Sequence, residues 1–299
     1  MQKRPGIWIE IAIVIPTGYA ETVGEFLIRE IGVHGVVEEP DATGRPTAGI
    51  KFYFAGDDEI DRKMQRLARH LEASGLHGVR CVSCVRLPET QWQSAWQRAS
   101  VPLQQIGQRL WIKAPWHEVE DPGQREIVEI NPAMAFGTGT HPTTRACLLL
   151  LEELLPADMA ASVSVLDVGC GSGILSIAAI KLGAAEAVAV DHAPEALSAA
   201  RANAEVNGVA HRIRFTTTPP RNARYDIVVG NIEIGALIEL RPLLARALRP
   251  GGKLILSGLL GDQADEALAQ YRTDGLTLVT QRVDHDWATL LLVLDGDRF

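Results

Sequence analysis

The apolar positions of this chain change period along its length, and each change marks an element. Residues 7 to 15 (Ile-Trp-Ile-Glu-Ile-Ala-Ile-Val-Ile) predict a strand that Pro16 ends. Ala20, Val23, Leu27 and Ile31 then stand at helical spacing. His34 to Glu38 and Gly49 to Phe54 predict two more strands on either side of a Pro/Gly turn region, Glu39 to Pro46. Asp57 and Asp58 precede a second helix, with Ile60, Met64, Leu67 and Leu71 on one face. Val79 to Leu87 predicts a fourth strand.

The order β-α-β-β-α-β is that of the ferredoxin-like split βαβ motif, which by itself assigns no function. Next come the helix formers of Gln91 to Trp96 and a strand from Arg109 to Trp116 with Pro115 near its end. Four tryptophans lie here (Trp92, Trp96, Trp111, Trp116), and they read as filling where a linker packs down. A helix is predicted from Pro142–Thr144 through Leu155. A β-branched strand (Val163, Val165, Val168), three glycines, an apolar helix (Ile174 to Leu182) and a second strand (Ala187 to Val190) follow. Beyond them the pattern gives a helix (Pro194 to Asn207), a short strand (Arg212 to Phe215) and the strand Tyr225 to Asn231. The helix Ile234 to Leu248 has Pro250-Gly-Gly252 as its stop signal. A strand (Lys253 to Ser257) and a helix (Asp262 to Tyr271) lead to a final pair, Leu276 to Val283 and Trp287 to Leu294. With no helix between its members, that pair predicts an antiparallel end to the sheet. The expected organisation is residues 1–87 as a recognition domain, 88–128 as a linker and packing region, and 129–299 as an α/β domain.

The formal charge of −8 means that the surface as a whole does not attract nucleic acid or an anionic membrane; a basic partner fits better. No run of 18 apolar residues exists, and Met-Gln-Lys-Arg-Pro-Gly lacks a signal-peptide core, so a cytoplasmic protein is expected. Four cysteines suggest no disulfide framework. Cys81 and Cys84 have C-x-x-C spacing in a predicted strand, where residues three apart point to opposite faces. No metal-ligand spacing appears, and no metal is expected.

Chemistry concentrates at Leu166-Asp-Val-Gly-Cys-Gly-Ser-Gly173 and at Asp191, which ends the next strand. A β-turn-α-β unit of this kind brings a nucleoside-sized ligand against a strand end. A dinucleotide fingerprint would place its third glycine at 174, but Ile174 stands there. Asp167 just before the loop is poorly placed for a pyrophosphate. S-adenosylmethionine suits these acids better, having no phosphate and carrying a sulfonium and an ammonium. Asp191, about 20 residues past the loop, is then placed to accept from the ribose hydroxyls. A nucleotide-dependent oxidoreductase, a non-catalytic cofactor-binding module and a purely structural turn remain the alternatives.

Two further places carry candidate residues. The helix start at Thr143 and Thr144 offers free backbone N–H groups and hydroxyls for a carboxylate, or a simple capped turn. Asn231 ends its strand, where its amide oxygen can accept from an amine, or it caps the following helix. His141 and His192 have no orienting partner in the sequence and are not expected to act as bases.

Read together, Asn131-Pro-Ala-Met-Ala-Phe-Gly-Thr-Gly-Thr-His-Pro-Thr-Thr144, Leu166 to Leu175, Ala178 to Ala185 and Asn203-Ala-Glu-x-Asn-Gly208 resemble the ribosomal protein L11 methyltransferase family. Gln91 to Ile112 looks like that family's linker, and the likeness is weakest over residues 1–85. The resemblance implies a class I methyltransferase domain (Rossmann-like, with a seven-stranded, mostly parallel sheet) behind an N-terminal α+β ferredoxin-like domain. It implies a monomeric protein N-methyltransferase that uses S-adenosylmethionine and acts on lysine side chains and the N-terminal amine of ribosomal protein L11, with no need to bind nucleic acid. Thr144, Gly169, Gly171, Asp191 and Asn231 would hold the donor, and Asn231 would also orient the acceptor amine. A relative acting on another protein, such as the electron-transfer flavoprotein β subunit, is the alternative. Departures from the family pattern are Asn131 where an acid is usual, Ile234 where a small residue is usual, and the extra charge of Glu233.

Overall fold

The computed structural model describes residues 7–16, 19, 23–24, 26–33, 36–40, 47–55, 60–73, 79–88, 103–132, 139–155, 162–220 and 222–296. The chain divides into two compact units, residues 1–100 and 101–299.

In the first unit, β1 (Ile7–Pro16), β2 (Val36–Pro40), β3 (Thr47–Ala55) and β4 (Arg80–Pro88) form an antiparallel sheet in the order β2-β3-β1-β4. This is the ferredoxin-like arrangement that the element order predicts. The alternating isoleucines of β1 make one face: Ile9, Ile11, Ile13 and Ile15 are all buried. Against them lie helix α1 (Ile60–Ala73), through Leu67 and Leu71, and a π-helical turn Leu27–Ile31 closed by Gly32 in the left-handed region at φ 72°. The apolar period from Ala20 predicts a longer helix; its first turn lies largely outside the described residues.

Edge strand β4 departs from expectation. Its register against β1 slips at Ala12/Ile13, so that Cys81 stands opposite Ile13 and Cys84 opposite Ile11. Ile11 and Ile13 share the core face, and directly opposed residues of an antiparallel pair point the same way. The extra residue therefore brings Cys81 and Cys84 to one face instead of opposite faces. Both thiols are free and exposed.

The second unit contains a small sheet and a large one. β5 (Gln104–Ile106), β6 (Leu110–Lys113) and β7 (Glu126–Glu129) form the small sheet, in which β6 and β7 run parallel. Trp111 belongs to it, whereas Trp92, Trp96 and the helix expected at Gln91 to Trp96 lie outside the described residues. The large sheet has seven strands: β8 (Ser164–Val168), β9 (Glu186–Val190), β10 (Ile213–Thr216), β11 (Tyr225–Asn231), β12 (Leu248–Leu260), β13 (Leu276–Asp284) and β14 (Trp287–Leu294). Their order is β10-β9-β8-β11-β12-β14-β13, parallel except for β14, which is antiparallel to both neighbours. Its helices are α2 (Pro142–Leu154), α3 (Ile174–Lys181), α4 (Pro194–Val206), α5 (Ile234–Arg246) and α6 (Ala264–Arg272).

Sequence pattern explains the layering. All five residues of β8 are buried, as a central parallel strand covered on both faces requires. α3 buries every residue from Ile174 to Ile180, and each large aliphatic side chain among them contributes roughly 1.5–3 kcal/mol. The direction in which successive strands are added reverses at β8: β9 and β10 lie on one side of it, and β11 and β12 on the other. The crevice at the carboxyl ends of β8 and β11 is thus the switch point where open α/β sheets place ligands. No helix among the described residues is long and apolar enough to cross a membrane, and none of their His, Cys, Asp or Glu side chains cluster as a metal site.

Candidate active site

Two groups of residues meet at this switch point. The first follows β8. Gly169, Gly171 and Gly173 all take positive φ (75°, 51° and 78°), which only glycine adopts without strain. The turn is held against β9, as Gly169 N–H and Cys170 N–H both donate to the Val190 carbonyl (2.8 and 3.0 Å). Asp191 then fixes it from the next strand end. One carboxylate oxygen accepts from Gly171 N–H (3.0 Å) and the other from Ala193 N–H (3.0 Å). Asp191 is buried, whereas the side chain of its neighbour His192 is fully exposed.

Gly169 has a packing reason as well as a conformational one: a Cβ there would stand 2.2 Å from Ile232 Cγ2. Ile232, just past Asn231, fills the space above the first glycine. Gly173 meets Ala200 of α4 in the same way, at 2.9 Å. The close approach of helix and loop that a dinucleotide fingerprint assigns to a glycine at 174 is met one residue earlier.

Asp167, one residue before the end of β8, is 1% exposed. Its Oδ2 accepts from Ser176 N–H (3.2 Å) and Ser176 Oγ (2.7 Å), while Oδ1 is buried with no hydrogen-bond partner. Burial, and after it the nearby Asp191 charge, push its pKa up to about 6, against the restraint of the Ser176 bonds. A buried carboxylate with an orphaned oxygen, beside a second carboxylate, fits a ligand that brings positive charge.

The second group joins β11 to α2. Asn231 Nδ2 donates to Thr144 Oγ1 (3.3 Å), so two residues 87 apart in sequence share one corner of the crevice. Thr143 and Thr144 are buried in the first turn of α2. His141 is the N-cap: its Nδ1 accepts from Thr143 N–H (3.3 Å), lies 2.7 Å from Thr143 Oγ1, and the ring sits edge-on to Trp287 at 4.8 Å. Burial pulls its pKa down to about 4, so the imidazole is neutral at neutral pH. The sequence shows no orienting partner for His141; the structure supplies one in the helix it caps. Ser257, which ends the apolar run of β12 opposite Asn231, is bonded to Thr289 Oγ1 (2.6 Å). Ser257, Thr289 and Trp287 escape the sequence reading; a polar residue closing an apolar strand beside Asn231 is the one local signal for Ser257.

A profile of the ribosomal protein L11 methyltransferase family matches residues 7–294. The chain belongs to that family. A ribosomal protein L11 methyltransferase of Chromohalobacter salexigens is 38% identical over 287 residues, covering 91% of this chain and 93% of the relative. One from Dechloromonas aromatica is 36% identical over 298 residues, covering 95% and 98%. Among solved structures, a ribosomal protein L11 methylase of Lactobacillus delbrueckii subsp. bulgaricus superposes with a TM-score of 0.59 at 29% identity. It covers 64% of this chain and 98% of its own. The enzyme is therefore a methyltransferase with the class I fold, and the oxidoreductase and non-catalytic readings fall away.

Proposed function

We propose that this enzyme transfers methyl groups from S-adenosylmethionine to lysine side-chain and N-terminal amines of ribosomal protein L11, acting as a cytoplasmic monomer. The observation that carries the reading is the Asn231–Thr144 pair at the switch point, opposite a glycine turn flanked by two buried carboxylates. Membership of the L11 methyltransferase family supports the acceptor. Nothing in the comparisons favours the flavoprotein β subunit.

When bound, S-adenosylmethionine supplies a methyl group on a positively charged sulfur. In this reading the glycine turn and Asp191 hold the nucleoside end, and Thr144 lies at the helix start that receives the carboxylate. The buried negative charge of Asp167 and Asp191 favours a cationic donor. Asn231 spends its Nδ2 on Thr144, which leaves its Oδ1 to accept from the attacking amine and aim the nitrogen lone pair. Holding both reactants in one cleft removes most of the entropic barrier, up to about 7–11 kcal/mol. A lysine of pKa ~10.4 costs roughly 4–5 kcal/mol to deprotonate at pH 7, and an α-amine of pKa ~7.8 about 1 kcal/mol. Such an acceptor needs its neutral form oriented, which a carboxamide does, more than it needs a strong base.

Incubating the enzyme with recombinant L11 and radiolabelled S-adenosylmethionine tests the reading. Label is expected in L11, with Asn231→Ala mainly lowering kcat, by roughly 10- to 100-fold (one charge-assisted hydrogen bond, about 1.5–3 kcal/mol), and affecting donor affinity less. Absence of label in L11, from enzyme that binds the donor, would overturn the acceptor assignment.

A further inference from the structure

One face of helix α4 bonds both to the glycine turn and to the chain at the end of β7. Ala200, Asn203 and Asn207 stand at i, i+3 and i+7 and so share that face. Ala200 is what a Cβ at Gly173 would strike, so the helix abuts the glycine turn directly. Three residues on, buried Asn203 donates from Nδ2 to the Ser172 carbonyl in the same turn (2.9 Å). Its Oδ1 accepts from Asn131 N–H (3.1 Å), two residues past the end of β7. Asn207 completes the row: Oδ1 accepts from Glu129 N–H (2.9 Å) and Nδ2 donates to the Glu129 carbonyl (2.7 Å), copying a strand partner at the end of β7. Gly139, ahead of α2, is closely packed as well. At Gly139 a Cβ would lie 3.0 Å from Ile112 and 3.1 Å from Ile174, the first residue of α3.

We propose that Asn203 is a positioning residue for methyl-donor binding, a single carboxamide that sets the spacing between the glycine turn and the chain leaving β7 at Asn131. The inference rests on the donor assignment above. Its physical basis is the fixed geometry of the amide. Donor and acceptor on one planar group hold Ser172 O and Asn131 N in a set relation. A carboxylate cannot replace it, because an ionised carboxylate only accepts. Asn207 bonds Glu129 and the Asn203 carbonyl (2.8 Å), with no bond to the glycine turn among those of the described residues, and serves as the control for a general loosening of the helix.

The test compares wild type, Asn203→Ala, Asn203→Asp and Asn207→Ala for S-adenosylhomocysteine affinity by calorimetry. KM and kcat for S-adenosylmethionine and a melting curve are taken on each. Both Asn203 variants should weaken S-adenosylhomocysteine and raise the donor KM by roughly tenfold or more, the effect of a lost buried hydrogen bond. Their kcat at saturating donor should stay within about twofold, since Asn231 and Thr144 are untouched, and Asn207→Ala should leave affinity within about twofold of wild type. Should Asn203→Ala not fold, Asn203→Asp, which keeps the Asn131 bond and opposes Ser172 O, carries the comparison. Unchanged affinity in a folded Asn203 variant overturns the proposal, as does an equal loss in Asn207→Ala. A wild-type enzyme that fails to bind S-adenosylhomocysteine overturns the donor assignment itself, and this inference with it.

Discussion

A half-buried histidine and a buried aspartate at the cleft shift stability in opposite directions with pH. His141, held neutral as the cap of α2, has its pKa pulled by burial to about 4. An unfolded chain takes up that proton near pH 6.5, so between about 6.5 and 4 the unfolded state binds more protons and His141's contribution to stability falls as the pH falls. Asp167 runs the other way. Its folded pKa of about 6 exceeds the unfolded value, so the native state binds the extra proton and stability from this group grows as pH drops from about 6 to 4. Each effect amounts to about 3 kcal/mol across its window, and they largely cancel. Asn at position 141 keeps a side-chain acceptor for the cap but does not titrate. Relative to wild type, His141→Asn should therefore gain stability as pH is lowered from about 6.5 to 4. Urea denaturation at both ends of that range checks it, and a difference independent of pH would show that His141 titrates as an ordinary imidazole.

Between elements, the decisive contacts join residues that no local pattern connects. Arg109 lies beside β6, yet its guanidinium donates to the Leu155 carbonyl at the end of α2 (2.5 Å) and the Leu182 carbonyl at the end of α3 (2.8 Å). One cation thus satisfies the orphaned carbonyls of two helices whose opposite ends build the cleft. Arg109→Met should lower unfolding stability by about 2–4 kcal/mol, read from the shift of the urea midpoint, and Arg109→Lys should restore only part, because an ammonium lacks the fork. If the methionine variant melts like wild type, the two carbonyls are satisfied by water instead. The sequence announces elements whose signal is local: the largely apolar β8 and α3, the polar end of β11 at Asn231, and the last two strands. It does not announce what tertiary register decides. Pro250-Gly-Gly252 reads as a stop before a strand at Lys253, but β12 runs from Leu248 because Tyr225 pairs with Leu248 across a register shift, with Gly251 at φ 77°. The bulge that aligns Cys81 with Cys84 and the bonds of Asn203 to Ser172 and Asn131 likewise depend on partners 31 to 72 residues away or on another strand. The candidate site divides in the same way. Its glycines and acids form a short string, while Thr144 and Asn231 are joined only by folding.

At the scale of the whole molecule, charge has to satisfy two opposed demands. A net charge of −8 draws a lysine-bearing partner towards the enzyme. The amine that reacts must be neutral, however, and negative charge close to it would hold its proton on. The carboxylates within the crevice are arranged consistently with this. Both oxygens of Asp191 are taken by backbone N–H groups, and Asp167 is buried beneath the turn, bonded to Ser176. Attraction of the acceptor protein must then come from acids spread over the surface, acting at long range, where salt screens them: the Debye length falls from about 10 Å at 0.1 M to about 3 Å at 1 M. Raising salt from about 0.05 to 0.5 M should therefore raise KM for the protein acceptor several-fold, with kcat and the KM for S-adenosylmethionine within about twofold. At the proposed site the donor would lie against buried groups that salt reaches weakly, so its constants serve as the internal control. Steady-state kinetics with each substrate varied in turn separate the two. An acceptor KM indifferent to salt would assign recognition to shape and apolar contact and leave the excess negative charge a matter of solubility alone.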